Sequence, residues 1–453
     1  MPVLTQPILE LQRALVQGQI TARALTKKAL ARAQDPQGEG QRAFLQLHEQ
    51  EALIAADISD TLRAAGQARS PLEGIPVSIK DVFDVAGEQT RGGSRILADT
   101  PPATENALVV QRLINAGAII VGRTNMDEFG FSGLGINPHY GTPRAPWDRA
   151  HGRLPGGSSS GAGVSVADGM SAAGIGTDTG GSVRIPAAFC GVTGFKPTAE
   201  RIPSLGTLPL SFSLDSIGAL GPSVSCCAIV DSVLAATPHI PLAPIDYHHL
   251  RIAVPKDVVF NSLDQQVSQR INAAILALTN RGAQIERIEL PEFNQLAYIN
   301  REGGFSCAEA WALHRDLIRT QESAYDPQVA YKISLGRHQS AADYIDLLAD
   351  REEWIAAVSA RLAPYDAFLM PTVPIVPPRI DAITNDEQFY THDALILRNS
   401  SIVNFLNGCA ISLPCHPEGE APVGLTLAST AHTDRHLLRV AYTVEQLLTQ
   451  IRS

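Results

Sequence analysis

Charged side chains are scarce in this 453-residue chain, 18% of residues against roughly 25% in an average soluble domain. Basic ones are the scarcer sign: 36 Lys plus Arg face 46 Asp plus Glu, a formal net charge of −10. No Lys/Arg run exceeds the pair Lys27–Lys28. A net negative chain without a basic track repels phosphate backbones and anionic lipid, so neither a nucleic acid nor a membrane is expected as a partner. Cysteine is equally thin. Cys190, Cys226, Cys227, Cys307, Cys409 and Cys415 are irregularly spaced and form no C-x-x-C, which argues against a disulfide framework and a zinc site. No run of 18 apolar residues occurs, and Glu10 and Arg13 interrupt the first hydrophobic stretch, so neither a transmembrane helix nor a secretory leader is expected. Reduced thiols and a cytoplasmic location are the expectation.

Apolar matter is plentiful, 45% of residues, enough for a large core. Its patterning alternates. Residues 7–34 read as two helices, with Leu9, Leu11, Leu15 and Val16 in the first, a break at Gly18 and Thr21 capping the second. Helix then strand recurs over 107–116 and 118–121 around the stop Gly117, and again over 267–281 and 284–290. Residues 76–81, 368–372 and 410–414 read as strands, the last two closed by proline. Strands alternating with helices predict an α/β layered fold. Residues 152–194 are rich in glycine, serine and proline, yet Val164, Val166 and Ile175 punctuate them too regularly for a linker.

That block carries the chemistry: Pro155-Gly156-Gly157-Ser158-Ser159-Ser160-Gly161, then Asp178-Thr179-Gly180-Gly181-Ser182-Val183-Arg184. Its glycines could cradle a phosphate, but neither G-x-x-x-x-G-K-[ST] nor a strand-flanked G-x-G-x-x-G is present. Residues 157–161 formally fit G-x-S-x-G with Ser159 as nucleophile, but the polar residues before them, ending in proline, do not supply the strand that such an elbow needs. The third reading is a serine hydrolase with a lysine base. Lys80 lies beside Val77 and Ile79, where desolvation favours a neutral amine. Glycines beside Ser182 would let backbone N–H groups approach a developing oxyanion, worth ~3 kcal/mol per donor.

These residues resemble the amidase signature hydrolases. The likeness is carried by Gly74-Ile75-Pro76-Val77-Ser78-Ile79-Lys80-Asp81, Gly156-Gly157-Ser158-Ser159, Asp178-Thr179-Gly180-Gly181-Ser182 and Gly191-Val192-Thr193-Gly194-Phe195-Lys196-Pro197-Thr198, over about residues 65–225. The interval of 24 positions from Ser158 to Ser182 matches the spacing of the family's two catalytic serines. The resemblance implies a mixed central sheet surrounded by helices, one domain over residues 1–453, and a C-terminal half that shapes the substrate pocket. It also implies a Ser-cisSer-Lys triad: Ser182 as nucleophile, Ser158 as proton relay on a cis Gly157–Ser158 peptide, Lys80 as base. Thr179, Gly180, Gly181 and Ser182 would supply the oxyanion hole, and Gly130 and Ser132 would face the substrate. The implied activity is hydrolysis of an amide carbon–nitrogen bond through an acyl-enzyme, without metal or cofactor. Ser158-Ser159-Ser160-Gly161-Ala162 departs from the frequent Ser-Ser-Gly-Gly-Ser but keeps the matched serine. The glutaminase subunit of tRNA-dependent amidotransferases shares the signature and resembles residues 124–129. It is the alternative, along with action on ureas or carbamates. Residues 329–337 align loosely with that subunit's glutamine-binding segment, but the approach to Leu335-Gly336 offers only Lys332 where a more basic one is expected, which favours a stand-alone amidase. A homodimer stays open.

The remaining candidates have plainer readings. Asp178 and Arg184 suit an ion pair steadying the nucleophile turn. His139 and His151 read as surface loop residues with no carboxylate placed to orient them, and Cys190 as core. Phe305, Trp311, Tyr331 and Leu335 suggest an apolar wall for the pocket.

Overall fold

The computed structural model describes residues 4–452. Eleven strands form one sheet: β1 (Phe44–Leu47), β2 (Pro76–Lys80), β3 (Ile119–Thr124), β4 (Ala173–Asp178), β5 (Thr193–Lys196), β6 (Ser216–Gly221), β7 (Arg251–Pro255), β8 (Gln284–Ile288), β9 (Ala367–Pro371), β10 (Cys409–Pro414) and β11 (Gly424–Ser429). Their order is β1-β3-β2-β4-β6-β5-β10-β11-β9-β7-β8. β2 runs parallel to β3 and β4, and β7 to β8 and β9, whereas the middle of the sheet is antiparallel. The sheet is therefore mixed, with helices packed around it, as expected. Helices cover both faces, so β2, β9, β10 and β11 are buried at every residue, and β9 reads as an unbroken apolar run while the other three bury a few polar side chains as well.

Most of the local elements fall where the apolar pattern puts them. Thr21 caps the Ala22–Ala33 helix, its side chain accepting from Ala24 N–H at 3.0 Å. The helices Leu108–Asn115 and Gln265–Asn280 lead into β3 and β8. The glycine-rich block departs from its surface appearance. It contains β4, the first half of β5 and two short helices, Ser160–Ala167 and Arg184–Cys190, whose residues are buried apart from Ala167. Small residues allow this: a Cβ on Gly174 would lie 3.1 Å from Ala162 Cβ, so the first of these helices sits almost directly on β4. Among the described residues no helix is long and apolar enough to cross a membrane.

The topology sets up one site. Register pairs Ile79 of β2 with Ile175 of β4, and because the two strands are parallel their carboxyl ends lie side by side. Lys80 closes β2 there, and the turn carrying Ser182 leaves the end of β4.

Candidate active site

Lys80 is fully buried, and its Nζ donates to Ser158 Oγ and to Thr177 Oγ1, both at 2.8 Å. Burial pushes its pKa down to about 8, with Asp127, Asp215 and Asp178 opposing the shift. Ser158 follows a Gly157–Ser158 peptide that is cis. Position 157 has to be glycine, because a Cβ there would lie 2.3 Å from Asp127 Oδ1. Ser159 N–H donates to Ser182 O at 3.1 Å and binds the two serine segments together. The G-x-S-x-G match is accidental in the way its flanks indicate, for the loop bond from Gly157 N–H to Gly133 O stands where an elbow strand would be.

The turn holding Ser182 is built on Asp178. This carboxylate accepts from Gly181 N–H (2.9 Å), Val183 N–H (3.1 Å), Arg184 Nε (3.0 Å) and Asn404 Nδ2 (2.8 Å). Arg184 in turn donates to Asn404 Oδ1 at 2.6 Å. Burial opposes ionisation of Asp178, but the Arg184 guanidinium and the Lys196 ammonium outweigh it and hold the carboxyl well below the usual range. The expected ion pair is present and fully buried. Gly181 takes φ 132°, and a Cβ there would lie 2.1 Å from Ser400 Oγ, so glycine is required. Because Gly181 N–H is engaged by Asp178, the amides of Thr179, Gly180 and Ser182 are the ones left uncommitted among the described residues. Ser182 is buried, yet its hydroxyl makes no hydrogen bond to a described residue, so it is not joined to Ser158 Oγ.

A buried carboxyl, Asp127, and a partly buried one, Asp215, flank the pair. Asp127 accepts from Gly135 N–H at 3.0 Å, and burial pushes it up to about 7. Asp215 accepts from Thr179 Oγ1 at 2.5 Å and from the amides of Leu210 and Ser211, and burial pushes it up to about 6. Gly130 lies against Ser158, whose Oγ would be 3.5 Å from a Cβ at that glycine. Ser132 is buried, with its Oγ accepting Leu134 N–H at 2.9 Å.

A cavity of about 570 Å³ opens beside Thr179 and Gly180, and Phe305 forms part of its wall. The other three residues expected there do not reach it. Trp311 packs against the cluster that holds Phe129 and Tyr325, Tyr331 is exposed with its ring tilted against Tyr390, and Leu335 lies at the surface. The histidine expectations divide. His151 is exposed, but it pairs with Asp148. His139 is largely buried, and its Nε2 meets Glu128 Oε1 at 2.7 Å. Glu128 also accepts from Ser94 Oγ and Asp326 N–H and so acts as a buried tie between segments. Cys190 is buried core, its thiol raised by burial. Sequence reasoning misses Asn404, Asp215 and Ser400. They reach the site across up to 226 residues of chain, and no local pattern marks them.

A buried amine touching two hydroxyls can exchange a proton with either, and free amides beside a second serine can receive an oxyanion. The chain is similar to known proteins along nearly its whole length. The family model described as Amidase matches residues 24–438. The chain is 35% identical to 2-amino-5-chloromuconic acid deaminase of Comamonas testosteroni over 88% of its own length and 87% of that protein. It is 34% identical to a glutamyl-tRNA(Gln) amidotransferase subunit of Chloroflexus aggregans, over 94% and 93% respectively. A crystal structure of an amidase superposes with a TM-score of 0.87 at 32% identity, covering 97% of this chain and 99% of that one.

Proposed function

The chain belongs to the amidase family and is a carbon–nitrogen hydrolase, and we propose that it cleaves linear amides through an acyl-enzyme on Ser182, with Ser158 as relay and Lys80 as base. The observation that carries this reading is the 2.8 Å contact between the buried Lys80 Nζ and the buried Ser158 Oγ. Ser182 Oγ turns onto Ser158 Oγ as substrate binds, a tightening that unliganded sites commonly await. Ser182 Oγ then bonds to the carbonyl carbon while its proton passes to Ser158 Oγ, whose own proton goes to neutral Lys80. The oxyanion is held by the amides of Thr179, Gly180 and Ser182. Gly181 contributes by bringing the backbone close and by fixing the turn through its bond to Asp178. The intermediate collapses with cleavage of the carbon–nitrogen bond, and Ser158 protonates the departing amine and is reprotonated by Lys80. Water repeats the attack on the ester, releasing the acid and Ser182. Gly130 leaves room for substrate against Ser158, and Ser132 supports that segment.

The relative named as an amidotransferase subunit supports a second reading, a glutaminase that acts with partner subunits. Lys332, the residue that would answer to its glutamine segment, is already paired with Asp393, which supplies the negative partner that a substrate carboxylate would otherwise be. The stand-alone amidase is the better supported reading. A panel of glutamine, short aliphatic amides, an anilide, a urea and an aryl carbamate, run with wild type and Ser182→Ala, tests both. Turnover of a non-glutamine amide that vanishes in the variant is the expected result. Activity confined to glutamine, or requiring a second co-purifying protein, selects the second reading, and activity surviving Ser182→Ala removes the nucleophile assignment.

A further inference from the structure

The geometry points to Arg398 as a specificity-determining residue: the cavity beside Thr179 and Gly180 takes an amide whose apolar body ends in a carboxylate. This rests on the amidase reading, because it treats those two residues as the reacting end of the cavity. The walls are apolar and aromatic, with Phe293, Phe305, Phe405 and Ile402 among them. Arg398 is the single charged side chain lining the cavity. It stands on the helix Asp386–Phe405, next to Leu397 and three residues before Ser401, which line the same space.

Arg398 is half-buried and lacks an acidic partner. Its Nε donates to Asn399 Oδ1 at 3.0 Å and its Nη2 to Asn261 O at 2.7 Å. A guanidinium has five N–H donors, so three remain to serve a ligand. Among the described residues no carboxylate forms an ion pair with it, and burial alone lowers its pKa. Arg351, which lines a different cavity, shows the contrast. It donates to Ser213 O, Phe405 O and Asn404 O, with Glu309 and Glu200 acting on its charge. A desolvated cation without a counter-charge is unfavourable until an anion arrives, and the planar fork of arginine matches a carboxylate with two parallel bonds. An amide lying along the cavity would place its carbonyl at the Thr179–Gly180 end and its carboxylate at Arg398. The plainer role is structural, with Arg398 only tying its helix to the Asn261 loop.

The test uses the full-length enzyme and two matched pairs, 4-carbamoylbenzoate against 4-methylbenzamide and glutaramate against valeramide. Wild type, Arg398→Met and Arg398→Lys are compared by kcat and KM, and Ser182→Ala reports separately on the amidase reading. Terephthalate and glutarate binding to Ser182→Ala, with and without Arg398→Met, is measured by calorimetry and reads the anion site without turnover. Wild type should favour a carboxylate-bearing member by roughly 10- to 100-fold in kcat/KM, the scale of a charge-assisted bidentate contact. Arg398→Met should bring that ratio toward one, chiefly through KM, and abolish dicarboxylate binding, while Arg398→Lys restores part of both. A preference for the neutral amides, a ratio that Arg398→Met leaves untouched, or dicarboxylate binding that is absent or independent of Arg398 overturns the proposal. A fall in thermal stability with the ratio unchanged leaves only the structural tie. Turnover that survives Ser182→Ala removes the nucleophile instead, and the Arg398 binding comparison still decides the anion site.

Discussion

Two lysines in this protein share nearly every physical property that marks a catalytic base. Lys80 ends β2 and Lys196 ends β5, both are fully buried, and burial brings both down to about 8. Their partners differ. Lys80 faces two hydroxyls, Ser158 Oγ and Thr177 Oγ1, which can give a proton as readily as accept a hydrogen bond. Lys196 faces two carbonyl oxygens, of Pro197 and Gly408, each at 2.7 Å, which only accept. A depressed pKa therefore identifies a desolvated amine, and the partner atoms decide whether it moves protons or pins backbone. Lys196 bonds the chain following β5 to the Gly408 turn that leads into β10, so it closes a seam in the sheet.

The largest expected effect follows from that difference. Lys80→Met should lower kcat by about a thousandfold, within the range for loss of a positioned base. Its thermal midpoint should hold or rise, because the substitution removes a buried charge and the two hydroxyls can turn to other partners. A comparable loss of activity in Lys196→Met would erase the contrast. The pH profile is next in size. The folded pKa of Lys80 is lowered, so the neutral base accumulates as pH rises, and kcat/KM should climb about tenfold per unit below about 8 and flatten above it. Lys196→Met should leave that midpoint in place. It should instead destabilise the fold by about 2 kcal/mol, since the Pro197 and Gly408 carbonyls lose a partner they cannot replace by rotating. Thermal unfolding of both variants at one pH checks the sign of each change.

The positions proposed for the triad are legible because they sit in short, contiguous motifs that the fold brings to one end of β2 and β4. Lys80, Ser158 and the turn at 178–184 are read locally, and the Asp178–Arg184 pair lies within one turn of chain. The strand β4 is hidden for a physical reason. Gly174 and Gly176 suppress any strand propensity, yet they are needed because Ala162 and Ser159 press on them, and a Cβ on Gly176 would lie 2.5 Å from Ser159 Oγ. The pocket is barely legible. Its wall is assembled from separate elements by packing, so Phe305 reaches it while Trp311, Tyr331 and Leu335, close by in sequence, face elsewhere. His139 escapes a local reading for the same reason: Glu128, eleven residues before it, is oriented toward it only by the fold.

The smallest effect isolates what Thr177 does for Lys80. Its Oγ1 accepts one of the three protons of the fully buried ammonium, and this favours the charged amine over the neutral one. Thr177→Val keeps the shape and removes the acceptor, so the ammonium loses more than the amine does and the folded pKa falls further. The rising limb of kcat/KM should then move to lower pH, by roughly half a unit for one such bond, with the plateau little changed because Ser158 still receives the proton. A limb that moves to higher pH would mean that Thr177 donates to Lys80 and stabilises the neutral base. Lys80 would then differ from Lys196 in a second respect, because both of its partners would be organised around the uncharged amine.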